Sequence, residues 1–149
     1  MRVTEKGIEL IKRFEGFSPV KYLCPAGYLT IGYGHVIKEG EAFDEPIDEE
    51  EAEQLLMKDL IKFEKSVLRL INVQLTEGMF DALVSFSYNL GSGALQRSAL
   101  RQKLNRAEYL DAADEFLKWV YSGGRKLKGL VLRRQAERER FLEDYEHFM

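Results

Sequence analysis

The amino-acid sequence predicts an α+β protein, with one small antiparallel sheet near the N-terminus and helices in the remainder. Between residues 17 and 46 the chain is rich in turn residues, and residues 28–33 form a β-branched and aromatic run. This combination is typical of short strands joined by hairpins. After residue 48, apolar residues recur at steps of three and four, which is the spacing of amphipathic helices. No internal repeat or flexible linker divides the chain.

The first helix is predicted to begin at Thr4, whose hydroxyl can cap it, and to end near Gly16. A second helix should follow Asp48, because Asp48 and Glu51 have the spacing of a capping box. Its apolar stripe continues for some 22 residues, a length of about 33 Å. The stripe consists of Leu55, Leu56, Leu60, Phe63, Val67, Leu70 and Ile71.

The rest of the chain is predicted to be helical. Thr76 can cap a helix that Gly91 ends, and a shorter helix should run from Ser98 to Leu104. The apolar spacing then predicts one helix over residues 107–121, stopped by two glycines, and a closing helix over residues 130–145.

The composition fits a folded domain without cross-links. The 149 residues are 45% hydrophobic and 32% charged, and a chain of this length buries about 70% of its unfolded surface. One cysteine excludes an internal disulfide, and one cysteine with two distant histidines gives no zinc-ligand spacing. No apolar run exceeds four residues, so no membrane span is predicted. The N-terminus lacks the apolar stretch of a signal peptide, so we expect synthesis in the cytosol without an export signal.

Charge is unevenly distributed although the formal net charge is only −3. Residues 39–53 contain nine acids and no base, as expected of a charged turn and helix start. Residues 125–140 contain seven bases and two acids, a local excess of +5 (7 − 2). A basic C-terminal face could attract an anionic polymer; the alternative is an ordinary solvated helix surface.

Three residues near the sheet are candidates for chemistry. Glu15 lies at the end of the first helix between aromatic residues, and desolvation there would favour the protonated form that a general acid needs. A hairpin folding back over this helix end would bring Cys24 and Thr30 to the same cleft, where a hydroxyl can hold water. Each residue alone also has an ordinary structural explanation: a surface carboxylate, a small buried thiol and a strand-forming threonine.

Together these residues carry a resemblance. Glu15, eight residues, Cys24, five residues and Thr30, followed by Ile-Gly-Tyr-Gly-His, resemble the signature of the phage-type lysozymes, or endolysins, of glycoside hydrolase family 24. The similarity continues through the segment 80–91 and the closing segment 119–137. It implies a single lysozyme-like domain over 1–149, with a sheet lobe at about 13–60 and a helical lobe at about 61–149 plus the N-terminal helix. A long helix would join the two lobes.

The resemblance also implies an activity. The substrate would be bacterial peptidoglycan, cut at the β-1,4 bond between N-acetylmuramic acid and N-acetylglucosamine, without a metal or cofactor. Glu15 would protonate the leaving oxygen, and Cys24 with Thr30 would hold the attacking water, which is the inverting geometry. The signature has Asp where this chain has Cys24, and a neutral thiol stabilises a developing positive charge less well than a carboxylate.

Further residues are expected along a substrate groove between the lobes. They are Tyr33, His35, Val36, Tyr88, Asn89 and Ser98. His35 could instead form a structural ion pair, and Tyr88 could belong to the core. We expect a monomer that waits in the host cytoplasm before acting on the wall, binds no nucleic acid and does not insert stably into a membrane. Two alternatives stay open at this point: a catalytically weak wall-binding protein of the same fold, and a peptidase using Cys24 and His35.

Overall fold

The computed structural model describes residues 1–149 and confirms the α+β class. In chain order the elements are α1 (Glu5–Glu15), β1 (Ser18–Leu23), β2 (Leu29–Gly32), β3 (His35–Val36), α2 (Glu49–Leu70), α3 (Glu77–Leu90), α4 (Ser92–Gln96), α5 (Ala99–Asn105), α6 (Tyr109–Glu115), a 3-10 turn (Phe116–Lys118), β4 (Tyr121–Ser122), β5 (Arg125–Lys126), α7 (Lys128–Leu142) and α8 (Tyr145–Phe148). None of the helices combines the length and apolar character that crossing a membrane requires.

The chain forms two compact units, one of residues 11–61 and one of residues 1–10 with 62–149. The smaller unit contains the antiparallel sheet in the order β1-β2-β3. Ile31 and Ile47 are buried beneath it with Ala52 and Leu56 of α2. Gly32 adopts a φ of +69° at the end of β2, and a Cβ there would lie 3.1 Å from the Cβ of Ala52. A glycine therefore allows β2 to pack closely on α2.

The helix starts follow the capping residues that the sequence offers. The Glu51 N–H donates to the Asp48 carboxylate at 2.8 Å, and α2 has the predicted 22 residues. The Met79 N–H donates to the Thr76 hydroxyl at 3.1 Å at the start of α3. These bonds satisfy N–H groups that a helix leaves without partners in its first turn.

The core of the larger unit is built on α3, which is buried over most of its length. Phe86 lies edge-on to Phe116 at 5.6 Å and to Trp119 at 5.3 Å, measured between ring centroids. Phe116 in turn contacts Phe141 of α7. Edge-to-face aromatic packing of this kind fixes α3 relative to α7 within the unit.

The predicted continuous helix over residues 107–121 is wrong. The helix begins at Tyr109, tightens to a 3-10 turn at Phe116 and is followed by the β4–β5 hairpin. Gly123 and Gly124 form the hairpin turn with φ of +58° and +78°, the left-handed conformations that a two-residue turn between twisted strands requires. Helix α4 was not predicted, and the closing helix begins at Lys128 rather than at residue 130.

The predicted basic face is also smaller than the sequence suggests. Arg133, Arg134 and Arg140 are buried, and Arg138 pairs with Asp114 at 2.9 Å. The exposed bases without an ion pair are Arg125, Lys126 and Lys128, which we call the hairpin surface. The local positive charge is therefore concentrated on β5 and the first residue of α7.

Candidate active site

Glu15 is the last residue of α1, and its side chain is half-buried. The next residue, Gly16, has a φ of +73° and donates its N–H to the Lys12 carbonyl at 2.9 Å. Glycine readily adopts this left-handed conformation and ends helices for that reason. The chain can then reverse into β1 at Ser18, so the carboxyl group lies where helix and sheet meet within the smaller unit.

Thr30 lies in the middle of the sheet. Its partner on β1 is Tyr22, and its partner on β3 is Val36. Directly opposed residues of an antiparallel sheet project from the same face. Thr30 is only 2% exposed, whereas Tyr22 and Val36 are 37% and 44% exposed. One face of the sheet therefore presents a buried hydroxyl between two accessible side chains.

Cys24 lies in the tight turn that joins β1 to β2. Its N–H donates to the Tyr28 carbonyl at 2.9 Å, and the Gly27 N–H donates to the Cys24 carbonyl at 2.8 Å. The backbone N–H of Tyr28 lowers the pKa of the Cys24 thiol most; burial opposes this, while the N–H groups of Ala26 and Gly27 and the Thr30 hydroxyl reinforce it. Hydrogen bonds to the charged form have this effect because they stabilise the thiolate.

Cys24 and Thr30 thus form a pair. The Thr30 hydroxyl donates to the Tyr28 carbonyl at 2.9 Å in this structure and also interacts with the Cys24 sulfur. A hydroxyl has one proton and two lone pairs. While its proton is held by a protein acceptor, the Thr30 oxygen still has capacity to accept a hydrogen bond from a water molecule.

Tyr22 links Glu15 to the pair of Cys24 and Thr30 through electrostatic interactions. Burial raises the pKa of the Tyr22 phenol, and the negative charges of Glu15 and Cys24 raise it further. The Tyr22 phenol therefore interacts electrostatically with both Glu15 and Cys24. That Glu15, Cys24 and Thr30 act together stays a prediction, and Tyr22 is a neighbour that the sequence analysis missed. Alternation along β1 could have indicated it, because Tyr22 lies two residues before Cys24.

His35 and Tyr33 are buried in the smaller unit. His35 pairs with Ile31 in the sheet register, so it projects from the face opposite to Thr30. Its Nδ1 lies 2.7 Å from Asp59 and its Nε2 lies 3.0 Å from Glu41. The hydrogen bond to Asp59 raises the pKa of His35 against the effect of burial, and Glu41 adds to the rise. His35 forms the structural ion pair that the sequence left as an alternative.

Tyr33 is 6% exposed. Its ring lies 5.5 Å from that of Phe17 and 5.4 Å from the Lys12 ammonium. Tyr33 lies between β2 and β3, so the packing of its ring supports the turn that joins these strands. Direct contact of Tyr33 or His35 with a substrate stays a prediction.

Asn89 and Tyr88 lie at the end of α3 in the larger unit, and both are half-buried. Tyr88 is edge-on to Phe63, with ring centroids 5.5 Å apart. The Asn89 Oδ1 accepts a hydrogen bond from Arg134 at 2.7 Å. Since Arg is only a donor, this bond orients the amide and turns its NH₂ group away from the guanidinium.

Arg134 is itself held by buried groups. Its Nε lies 2.8 Å from the Glu137 carboxylate, which also accepts a hydrogen bond from the Ser85 hydroxyl at 2.5 Å. The Arg134 guanidinium lies over the Phe86 ring at 5.2 Å. This network was not predicted, because it joins α3 to residues far along the chain.

Ser98 is 2% exposed and caps α5. Its hydroxyl donates to the Leu95 carbonyl at 2.7 Å and accepts from the Arg101 N–H at 3.0 Å. The hydroxyl therefore already has a donor and an acceptor within the protein. No group of three or more histidine, cysteine or carboxylate side chains could hold a metal ion.

Comparison with known proteins agrees with this geometry. Residues 12–137 match the family model described as phage lysozyme. The endolysin of Bacillus phage B103 is 46% identical over 144 residues, which cover 95% of this chain and 54% of that protein. The endolysin of Acyrthosiphon pisum secondary endosymbiont phage 1 is 39% identical over 145 residues, with 95% and 98% covered.

Among solved structures, a mutant of P22 lysozyme matches with a TM-score of 0.86 and 34% identity, over 95% of this chain and 99% of that chain. The chain therefore spans about half the length of the B103 relative and nearly the whole of the other two. From the family model, the relatives and the shared fold together, we conclude that this chain belongs to the phage lysozyme family.

Proposed function

We propose that this protein is a muramidase, which hydrolyses the β-1,4 bond between N-acetylmuramic acid and N-acetylglucosamine in bacterial peptidoglycan. One observation carries the proposal: residues 12–137, which include Glu15, Cys24 and Thr30, match the phage lysozyme family model. Glu15 is the general acid that protonates the leaving oxygen. Glycoside hydrolysis needs such an acid on one side of the bond and a water-activating group on the other.

Cys24 and Thr30 supply the water-activating group on the other side of the bond. The turn that holds Cys24 favours its thiolate, and a thiolate can replace the family carboxylate as a negative charge near the developing oxocarbenium ion. Thr30 accepts a hydrogen bond from the attacking water. This arrangement gives inversion at the anomeric carbon. Nuclear magnetic resonance of the first products tests it: inversion releases the α anomer first, and early β anomer would contradict it.

Three of the six remaining candidates bind the polymer. Val36 presents an exposed apolar surface beside Thr30, and Tyr88 offers a half-exposed ring. Asn89, oriented by Arg134, donates its amide NH₂ to the carbonyl of an acetamido group. Tyr33, His35 and Ser98 act by shaping the sheet and the start of α5.

The two alternatives are less well supported. A peptidase would need His35 as the base for Cys24. Both ring nitrogens of His35 are engaged by carboxylates, and the ring projects from the other face of the sheet. A wall-binding protein without catalysis would not need the Glu15, Cys24 and Thr30 group, and family membership favours the enzyme.

The acid role is tested by Glu15→Gln, which keeps the size of the side chain and removes the transferable proton. We expect the folded variant to lose at least about a hundredfold in the rate of new reducing ends released from purified peptidoglycan. Glu39→Gln is the control, because Glu39 is an exposed carboxylate of the same unit. Near-normal activity of the Glu15 variant would refute the assignment. Release of new amines instead of reducing ends would indicate a peptidase.

We further propose that the hairpin surface attracts the anionic wall. Its three cations are exposed and lack ion pairs within the protein, so they are available to a polyanion. Lysis should weaken as salt rises, since the screening length falls from about 8 Å at 0.15 M to about 3 Å at 1 M.

Changing Arg125, Lys126 and Lys128 together to glutamine should flatten this salt dependence. Changing Lys58, Lys65 and Arg69, which are exposed on α2, removes the same charge elsewhere and should not. Equal effects of the two triple variants would mean that only net charge matters.

The remaining expectations concern the state of the protein in the cell. We propose that it acts as a monomer, binds no nucleic acid, does not insert stably into a membrane and waits in the host cytoplasm until it reaches the wall. Analytical ultracentrifugation tests the first point, and fractionation of cells before lysis tests the last. A dimer, or enzyme recovered with the membrane, would contradict them.

A further inference from the structure

We propose that Tyr22 is a substrate-contacting residue of the active site, and that its phenol donates a hydrogen bond to an oxygen of the sugar bound beside Glu15. This inference rests on the proposed function and adds a residue to its site. It identifies a polar group on the open face of the sheet that neither the family signature nor the sequence analysis singled out.

The sheet register places Tyr22 next to the reacting groups. Tyr22 is the direct cross-strand partner of Thr30, and Thr30 is the partner of Val36. Side chains at such positions have Cβ atoms about 4.5–5.5 Å apart on the same face. The next pair, Leu23 with Leu29, projects from the opposite face. Tyr22 therefore borders Thr30 on one side as Val36 does on the other.

The phenol is available to a ligand. Tyr22 is 37% exposed, and its hydroxyl makes no hydrogen bond within the protein. The hydroxyl of Thr30, in contrast, already donates to the Tyr28 carbonyl. A ring that packs on a sheet while its polar end stays open suits a sugar, which offers both apolar C–H surfaces and hydroxyl or carbonyl oxygens.

The surroundings keep this phenol protonated. Burial and the charges of Glu15 and Cys24 both disfavour a phenolate, so the pKa of Tyr22 lies above its ordinary value. The group therefore remains a hydrogen-bond donor at neutral pH. A protonated phenol without an internal acceptor is ready to donate a hydrogen bond to substrate.

The test compares Tyr22→Phe with Tyr121→Phe on soluble, uncrosslinked peptidoglycan chains. Both substitutions remove one phenol hydroxyl, and Tyr121, on β4, is the more exposed residue at 63%. One neutral hydrogen bond lost corresponds to about a five- to tenfold fall in kcat/KM. We expect this fall for Tyr22→Phe, no change in Tm and unmoved limbs of the pH profile, with Tyr121→Phe within about twofold of wild type.

The other outcomes overturn the inference. Unchanged kcat/KM for Tyr22→Phe means that the hydroxyl does not contact substrate. A fall that comes with a shift of the acidic limb means that Tyr22 acts through Glu15 rather than on the sugar. Either result leaves the proposed function standing, because that function is tested separately by Glu15→Gln and by the chemistry of the released products.

Discussion

The ion pair between His35 and Asp59 provides a pH-dependent test of how the sheet unit is held together. The pair joins β3 to α2, with 2.7 Å between Nδ1 and the carboxylate, and His35 is only 4% exposed. Asp59→Asn keeps an acceptor oxygen in place and removes the negative charge. Because Glu41 still contacts Nε2, the imidazole retains one charged partner.

The expected loss of stability in Asp59→Asn follows from the burial of His35 and from its remaining partner, Glu41. A hydrogen bond to a charged group contributes about 1.5–3 kcal/mol, so we expect a loss of about 2 kcal/mol at pH 5.5. For a chain of this size, 1 kcal/mol corresponds to about 2–4 °C in Tm, giving a fall of about 4–8 °C.

Asp59 raises the pKa of His35 from 6.5. The stabilisation is therefore complete below about pH 6.5 and is lost as pH rises through the higher folded-state value. Above that value the imidazole is neutral in both proteins and the difference should shrink.

Thermal unfolding at pH 5.5, 7 and 9.5 measures this effect. Asp44→Asn is the matched control, because Asp44 also pairs with a cation in the same unit but is 84% exposed, 3.8 Å from Lys21. An exposed pair of this kind contributes about 0–1 kcal/mol, so the control should differ little from wild type at every pH. An Asp59→Asn loss that is equal at all three pH values would refute the assignment of the effect to a protonated His35.

Three further substitutions test the packing and the thiol. Gly78→Ala should lower the free energy of unfolding by about 1–3 kcal/mol in a denaturant titration, because the added Cβ would lie 2.3 Å from the Arg140 carbonyl oxygen; a neutral result would contradict this close contact. Phe116→Ala should cost about 3–5 kcal/mol, since the ring is fully buried, and a loss below about 1 kcal/mol would mean that the core closes around the change. Cys24→Asp should keep muramidase turnover within about tenfold of wild type. The same variant should no longer be inactivated by a thiol-alkylating reagent, and a wild-type enzyme insensitive to alkylation would exclude Cys24 from the site.

The elements that sequence analysis predicted well are those with local chemical signals. A helix start at Asp48 or Thr76 depends on an oxygen three residues before an N–H group, and that spacing is visible in the sequence. The same applies to the end of α1, where glycine permits the left-handed conformation of Gly16. Such local features do not depend on contacts between residues that are distant in the sequence.

The errors arose where distant residues or short strands decide the structure. Residues 107–121 have helical apolar spacing, but the following glycines close a hairpin and the chain leaves the helix at Phe116. The bases of α7 were expected on a surface, yet Arg134 is buried against Glu137 and Phe86. Sequence periodicity cannot distinguish a solvated arginine from one that packs on a ring some 50 positions away, as Arg134 does on Phe86.

The candidate site was predicted only in part, because some of its residues are brought together by strand pairing rather than by local spacing. The spacing of Glu15, Cys24 and Thr30 is a property of the sequence, and their joint role at one site stays a prediction. Tyr22 was missed because its relevance depends on strand register, which pairs it with Thr30. The same register places His35 on the other face, where it forms an ion pair.

The proposed activity adds water across one kind of glycosidic bond in the wall. Mass spectrometry of fragments released from purified peptidoglycan tests this activity most directly. We expect fragments that end in reducing N-acetylmuramic acid, carry intact peptide stems and gain one water per cut. Fragments that end in reducing N-acetylglucosamine, that have cleaved stems, or that end in an anhydro sugar without added water would contradict it.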